Sequence, residues 1–187
     1  MQASVIIAIV IAGFLVGMAL VWLGVSWYTW RKLSKLNSHM PLVPIDIQEY
    51  KGKWYEIARN PSRFEKGCSQ AIAEYTPKPG YIQVKNHCIK NGKTQTSIGK
   101  AFATENKAVL GVSFFPGIYR NYSVVYRDPT TSIVSEPNKK YLWILSRTPS
   151  LSKRKQSQVM SWLKDHHFDL KRLEFPSVAP KVKINGD

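Results

Sequence analysis

The side chains able to do chemistry are few in this chain, and they are scattered. Cys68 and Cys88 stand twenty positions apart, with no CxxC and no close histidine pair to complete a tetrahedral donor set, so they do not read as a zinc site. A cysteine nucleophile needs a neighbouring charge or base that holds it as thiolate, and we read neither cysteine as one. His166 and His167 are adjacent, and neighbours on a helix point in different directions, so they are structural and surface residues and not a metal pair. Glu56 shares strand parity with Trp54 and would lie inward; a buried acid needs a partner, and Arg147 has matching parity. A bulge that turns Glu56 to solvent is the equal alternative. No Gly-x-Ser-x-Gly, HExxH, P-loop or GxGxxG occurs. The expectation is a binding protein: no enzyme, no catalytic residue, no metal and no cofactor.

The elements that must position these side chains begin with an apolar run. Residues 1–30 carry no charge, and residues 5–25 are long enough as a helix to cross a hydrocarbon core of ~30 Å. Trp22, Trp27, Tyr28 and Trp30 gather where amphipathic rings prefer the head-group level, and Arg31, Lys32 and Lys35 follow. A cleaved signal would show a basic start and a shorter apolar core, so residues 1–30 read as an uncleaved single-pass anchor. Gly13 and Gly17 form a GxxxG spacing able to bring two such helices into a weak homodimer. The positive residues behind the span would place the following domain in the cytoplasm.

The remainder is one domain of strongly basic surface, with 27 Lys and Arg against 12 Asp and Glu. This charge offers a second reading from another class, a module that meets anionic lipid surfaces or other anionic ligands without holding anything inside. The basic residues are spread over many segments instead of being interleaved with exposed aromatics, which argues against specific nucleic-acid readout.

Residues 31–48, with Pro41 and Pro44, read as an extended linker that lifts the domain off the membrane. From 49 to 176 short Val-, Ile-, Tyr-, Phe- and Thr-rich segments are punctuated by Pro, Gly, Asn and Asp. They delimit eight strands near 53–60, 68–76, 81–90, 94–104, 107–115, 121–127, 131–135 and 140–147. Eight strands in a meander suit an up-and-down antiparallel barrel, which leaves no open edge. Alternation puts Leu110, Val112 and Phe114 on one face, groups Tyr122, Val124 and Tyr126, and groups Tyr141, Trp143, Leu145 and Arg147. The opposite face of the last strand, Leu142 and Ile144, is equally apolar and needs cover. Residues 150–167 supply it by switching to helical spacing, with Val159, Trp162, Leu163 and His166 on one stripe and Ser150 or Ser152 as N-cap. Residues 171–175 would add a strand, and 177–187 read as a disordered tail.

Gly52-Lys53-Trp54-Tyr55-Glu56-Ile57-Ala58-Arg59 resembles the GxW element that opens the first barrel strand of lipocalins, in the version shared by bacterial lipocalins and apolipoprotein D. Gly99-Lys100-Ala101, Val112-Ser113-Phe114-Phe115, Tyr119 and the run from Tyr141 to Pro149 follow the bacterial-type pattern in the same order. The resemblance spans residues 45–175 and implies an eight-stranded barrel whose cup binds, stores or transports a small hydrophobic ligand, a fatty acid or lysophospholipid. It implies that Gly52 and Trp54 lie at the closed end with Arg147 stacked across the indole. Apolar inward parity within such a barrel makes Leu110, Val112, Phe114, Tyr122, Val124, Tyr126, Tyr141 and Trp143 the candidate ligand wall. Two features depart from the pattern: the lipid-modified N-terminal cysteine is absent, and the second family element survives only as Tyr126-Arg127-Asp128.

Composition alone leaves the cysteines open, since two buried thiols and one disulfide look alike on paper. Folding a hairpin about residues 77–80 brings Cys68 within one register step of Cys88, so a disulfide forms provided that a bulge corrects the facing of one of them. A disulfide and the lipocalin resemblance both place the domain on the extracytoplasmic side, against the charges that follow the span.

Overall fold

The computed structural model describes residues 2–34, 40–62 and 65–176. The charge-free N-terminal run forms one helix, α1 (Gln2–Ser34). Within it Ile6–Arg31 is long and apolar enough to cross a membrane, and no residue of this stretch is buried. Gly13 and Gly17 have open space where a side chain would stand. At its C-terminal end the Arg31 guanidinium lies over the Trp27 ring at 4.9 Å, where an aromatic face attracts a cation.

The alternating segments form eight strands: β1 (Gly52–Arg59), β2 (Gln70–Lys78), β3 (Tyr81–Lys90), β4 (Lys93–Ala103), β5 (Val109–Phe115), β6 (Ile118–Arg127), β7 (Thr131–Ser135) and β8 (Leu142–Ser146). Each pairs antiparallel with its neighbour in sequence, and β8 returns to β1, so the meander closes into a barrel. Closure satisfies the backbone groups that an open sheet would leave at its edges. Three ladders carry an irregularity, between Glu56 and Ala58 in β1, between Val112 and Phe115 in β5, and between Val124 and Tyr126 in β6. Each shifts which face the following side chains take.

Two apolar clusters result, separated by the barrel wall. The inner one joins Trp54, Tyr75, Ile82, Val84, Ala101, Leu110, Val112, Val124, Val134 and Leu145. The outer one joins Ala58, Val125, Ile133, Leu142 and Ile144 to Val159 and Leu163 of α2, the helix Lys153–Asp165. Ser152 is its N-cap, its hydroxyl accepting from Lys155 N–H at 3.3 Å. The helix thus covers the outer apolar face of β8. Beyond it the expected strand over 171–175 shrinks to a single antiparallel bridge, Arg59 to Glu174, after a 3-10 turn over Leu170–Arg172.

Within 31–48 the described residues, 31–34 and 40–48, do not form the extended spacer that the prolines suggest. α1 continues to Ser34, and Met40 is buried in the outer cluster. Val43 N–H then donates to Val124 O at 2.9 Å and Ile45 N–H to Lys107 O at 3.1 Å. Val43, Ile45 and Ile47 pack against the inner cluster, so this stretch crosses the lower end of the barrel instead of lifting it off anything. It ends in a single helical turn, Ile47–Tyr50, capped by the Asp46 carboxylate on Gln48 N–H at 2.7 Å. The tail 177–187 lies outside the described residues.

Cys68 and Cys88 are bonded to each other, with Cα atoms 5.4 Å apart. The route differs from the expected cross-strand pair. The β2–β3 register is unbroken and sets Ala71, not Cys68, opposite Cys88. Cys68 precedes β2, so the bridge ties the β1–β2 loop to the upper end of β3, and no bulge is needed.

Candidate functional site

The floor of the barrel is sealed from both sides of the Trp54 ring. Within the barrel the indole lies 4.9 Å from the Tyr50 ring, and its Nε1–H donates to Tyr50 O at 2.8 Å. On the other face the Arg147 guanidinium sits 3.8 Å from the ring centroid. Its Nη1 donates to the Lys51 and Lys53 carbonyls at 2.9 and 3.0 Å and its Nη2 to the Glu49 carbonyl at 2.6 Å. One planar fork therefore ties the last strand to the entry of the first, a geometry that a lysine cannot reproduce. Gly52 stands beside this fork with φ +91°, a backbone conformation that L side chains rarely adopt.

Just above the floor three phenols converge. Tyr75 and Tyr122 hydroxyls are 2.6 Å apart, Tyr50 and Tyr122 3.2 Å, and Tyr50 reaches Ser132 Oγ at 3.0 Å. Burial raises the pKa of all three tyrosines, so the network is one of neutral hydroxyls. Above it the wall is Val84, Ala101, Leu110, Val112 and Val134, and nearer the mouth Trp143 and Tyr141 stack at 6.0 Å. The Phe114 ring lies over Gly99, where a Cβ would come within 2.8 Å of it, and Phe114 remains 38% exposed. Seven of the eight candidate wall residues, Leu110, Val112, Phe114, Tyr122, Val124, Tyr141 and Trp143, thus share the inner face or its mouth. Tyr126 does not. The irregularity after Val124 turns it outward onto Trp162 of α2 at 5.3 Å, with its hydroxyl donating to Asp128 Oδ2 at 2.9 Å.

A polar cluster interrupts the wall on the β1 side. Glu56 points inward, as its parity requires, but its partner is not Arg147. It pairs with Arg59, which the β1 irregularity has turned into the barrel, and both side chains are buried. Arg59 Nη2 donates to the carbonyls of Glu65 and Cys68 at 3.3 and 3.0 Å, and the Glu65 carboxylate accepts from Trp143 Nε1–H at 3.1 and 3.2 Å. Burial first, and then the Glu65 charge and its hydrogen bond, push Glu56 from 4.5 up to about 8 against the pull of Arg59. Folded protein therefore keeps a proton on Glu56 that the unfolded chain releases above about pH 4.5. This stabilisation is complete below that pH, falls as pH rises, and is lost above about 8. Glu56→Gln keeps a neutral amide there. Compared with wild type, its stability should fall less between the two pH limits, by up to about 5 kcal/mol, the equivalent of the full shift, in urea melts run across that range. Parallel curves would mean that Glu56 stays ionised.

Tyr50, Tyr75, Ser132, Arg59 and Glu65 escaped the sequence reading. Tyr50 stands two residues before Gly52, and Tyr75 and Ser132 sit at inward positions of β2 and β7, so counting parity in those strands would have found them. Arg59 is hidden by the irregularity, and Glu65 lies in a loop with no periodicity.

A lipocalin-like domain family model matches residues 45–178. The outer membrane lipoprotein Blc of Vibrio cholerae is 36% identical over 145 residues, which covers 73% of this chain and 85% of that protein. Bovine apolipoprotein D is 35% identical over 136 residues, 64% of this chain and 68% of its own length. Among solved structures, insecticyanin of the tobacco hornworm Manduca sexta superposes with a TM-score of 0.60 at 22% identity, covering 75% of this chain and 85% of that one.

Proposed function

The chain belongs to the lipocalin family, and from that premise we propose that it is a membrane-tethered lipocalin that binds, stores or carries a single-chain lipid, a fatty acid or lysophospholipid, in its cup. The carrying observation is a barrel sealed at one end by Trp54 and Arg147 and lined above by an apolar wall whose upper residues, Trp143, Tyr141 and Phe114, keep part of their surface exposed. An eight-stranded barrel of this kind has an interior suited to one small ligand. An acyl chain would lie along Val84, Leu110 and Val112, with its polar end toward the mouth. The bond between Cys68 and Cys88 removes both thiols as nucleophiles, which supports binding over turnover.

α1 would be the tether, and the domain would lie on the extracytoplasmic side. The disulfide supports that side, since such bonds persist in oxidising compartments, as does the similarity to outer membrane lipoproteins.

Val112→Asp places a carboxylate in the inner wall, and it should abolish binding of a fluorescent fatty acid while near-UV circular dichroism shows the tertiary fold retained. Wild-type affinity should change little with salt. A strongly salt-dependent affinity, unchanged in Val112→Asp, would overturn the cup and favour the basic surface as the binding site.

A further inference from the structure

The mouth of the cup and the apolar helix lie side by side. The tip of the β5–β6 hairpin meets α1 at Trp22 and Ser26, so closely that a Cβ on Gly117 would stand 2.9 Å from Trp22 Nε1. Thr29 Oγ1 donates to Gly117 O at 3.2 Å and accepts from Tyr119 N–H at 3.4 Å. Trp30 meets Tyr119 edge-on at 5.1 Å and Phe102 at 6.4 Å. These contacts run in order. Residues 22 and 26 touch the hairpin tip, 29 reaches two residues inward, and 30 reaches Phe102, which pairs with Gly111 deeper in the wall. The barrel therefore extends from its mouth in the direction of the C-terminus of α1, and the Trp54–Arg147 floor is its far end.

This order fixes what the mouth faces. Trp22 to Trp30 spans ~12 Å of helix and holds the aromatic residues that close the apolar run. The hairpin tip lies at the start of that stretch, level with the last apolar turn. Phe115 and Ile118 pair across the hairpin beside the tip and are 62% and 36% exposed. Around the rest of the rim Lys66, Lys90, Lys93 and Lys140 are exposed while the rim acids Glu65 and Glu136 are half-buried, whereas the floor end exposes Asp46, Glu49 and Glu105 beside its lysines. An apolar finger within a basic rim complements an anionic lipid surface, with hydrocarbon beneath the head groups.

We propose that the mouth of the cup rests on the bilayer, with Phe115 and Ile118 inserted below the head groups and the rim lysines on anionic lipids, so that a single-chain lipid passes between membrane and cup without crossing water. The orientation rests on α1 being a membrane anchor, and the passage of lipid rests also on the cup holding a single-chain lipid.

Its test uses the full chain in vesicles of phosphatidylethanolamine and phosphatidylglycerol. The photoreactive residue benzoylphenylalanine replaces Phe115, Ile118 or, at the floor end, Pro129. Illumination should yield phospholipid adducts at 115 and 118 and none at 129, in protein that alkaline carbonate leaves in the membrane. Retained protein with no lipid adduct at 115 and 118, with equal adducts at all three positions, or with adducts joining 115 to a second copy of the chain would overturn the orientation alone. Release of the protein by carbonate would overturn the anchor and the orientation with it.

Discussion

Trp54→Ala should lower the unfolding free energy by about 3–5 kcal/mol. Its indole is buried, fills the floor, stacks on Tyr50 and donates to the Tyr50 carbonyl. Truncation would leave a cavity bounded by the Tyr50 ring above and the Arg147 guanidinium below. Total stabilities of ~5–15 kcal/mol are usual, so the variant would retain a folded barrel with a small margin. Arg147→Ala should cost less, about 1–2 kcal/mol, because the carbonyls of Glu49, Lys51 and Lys53 can turn to water once the guanidinium is gone. Arg147→Lys should not restore the loss, since an ammonium cannot both lie flat on the indole and fork to three carbonyls. Urea melts followed by hydrogen exchange of the strand amides read the barrel apart from α1, whose Trp22, Trp27 and Trp30 would enter any aromatic signal. Midpoints unchanged in both alanine variants would remove the floor plug.

Where the ladder is regular, alternation placed side chains correctly. Leu110, Val112, Tyr122, Val124, Trp143 and Leu145 all lie on the inner face, and the turn residues delimited all eight strands to within a few positions. Errors cluster at the irregularities. Tyr126 changes face one step past Val124, and Arg59 enters the barrel past Glu56, because one extra residue inverts the facing of everything after it. Neither local composition nor hydropathy announces such a residue. The stretch before Gly52 failed for another reason. Pro41 and Pro44 suggested a spacer, yet Val43, Ile45 and Ile47 already alternate, and period two in so short a segment was the signal that it packs on the barrel. The Glu56, Arg59 and Glu65 cluster was legible only in part. Parity gave the buried acid, while its partners come from a shifted strand and from a loop held in place by tertiary contacts.

That loop depends on the disulfide, and Cys68→Ser combined with Cys88→Ser should lower stability by roughly 3 kcal/mol, the loop-closure value for cysteines 20 residues apart. The effect should also be local. Cys68 O accepts from Arg59 Nη2, and Cys68 N–H donates to Glu65 O, so the bridge fixes the turn that carries Glu65 onto Trp143 and beside Glu56. Once it is removed, Glu65 gains freedom to withdraw, and the charge that helps hold the proton on Glu56 withdraws with it. The double variant should therefore show a weaker fall in stability between about pH 4.5 and 8 as well as a lower midpoint, and amides of residues 65–69 should exchange faster. Dithiothreitol applied to wild type should reproduce both effects. Equal midpoints before and after reduction would mean that the ladder orders the loop unaided. Thiol alkylation of membrane-inserted protein under non-reducing conditions checks the compartment in the same preparation: both cysteines should stay unlabelled until a reductant is added. Labelling of both in intact, unreduced protein would remove the bridge in the cell, and with it the main physical argument that the cup lies outside the cytoplasm.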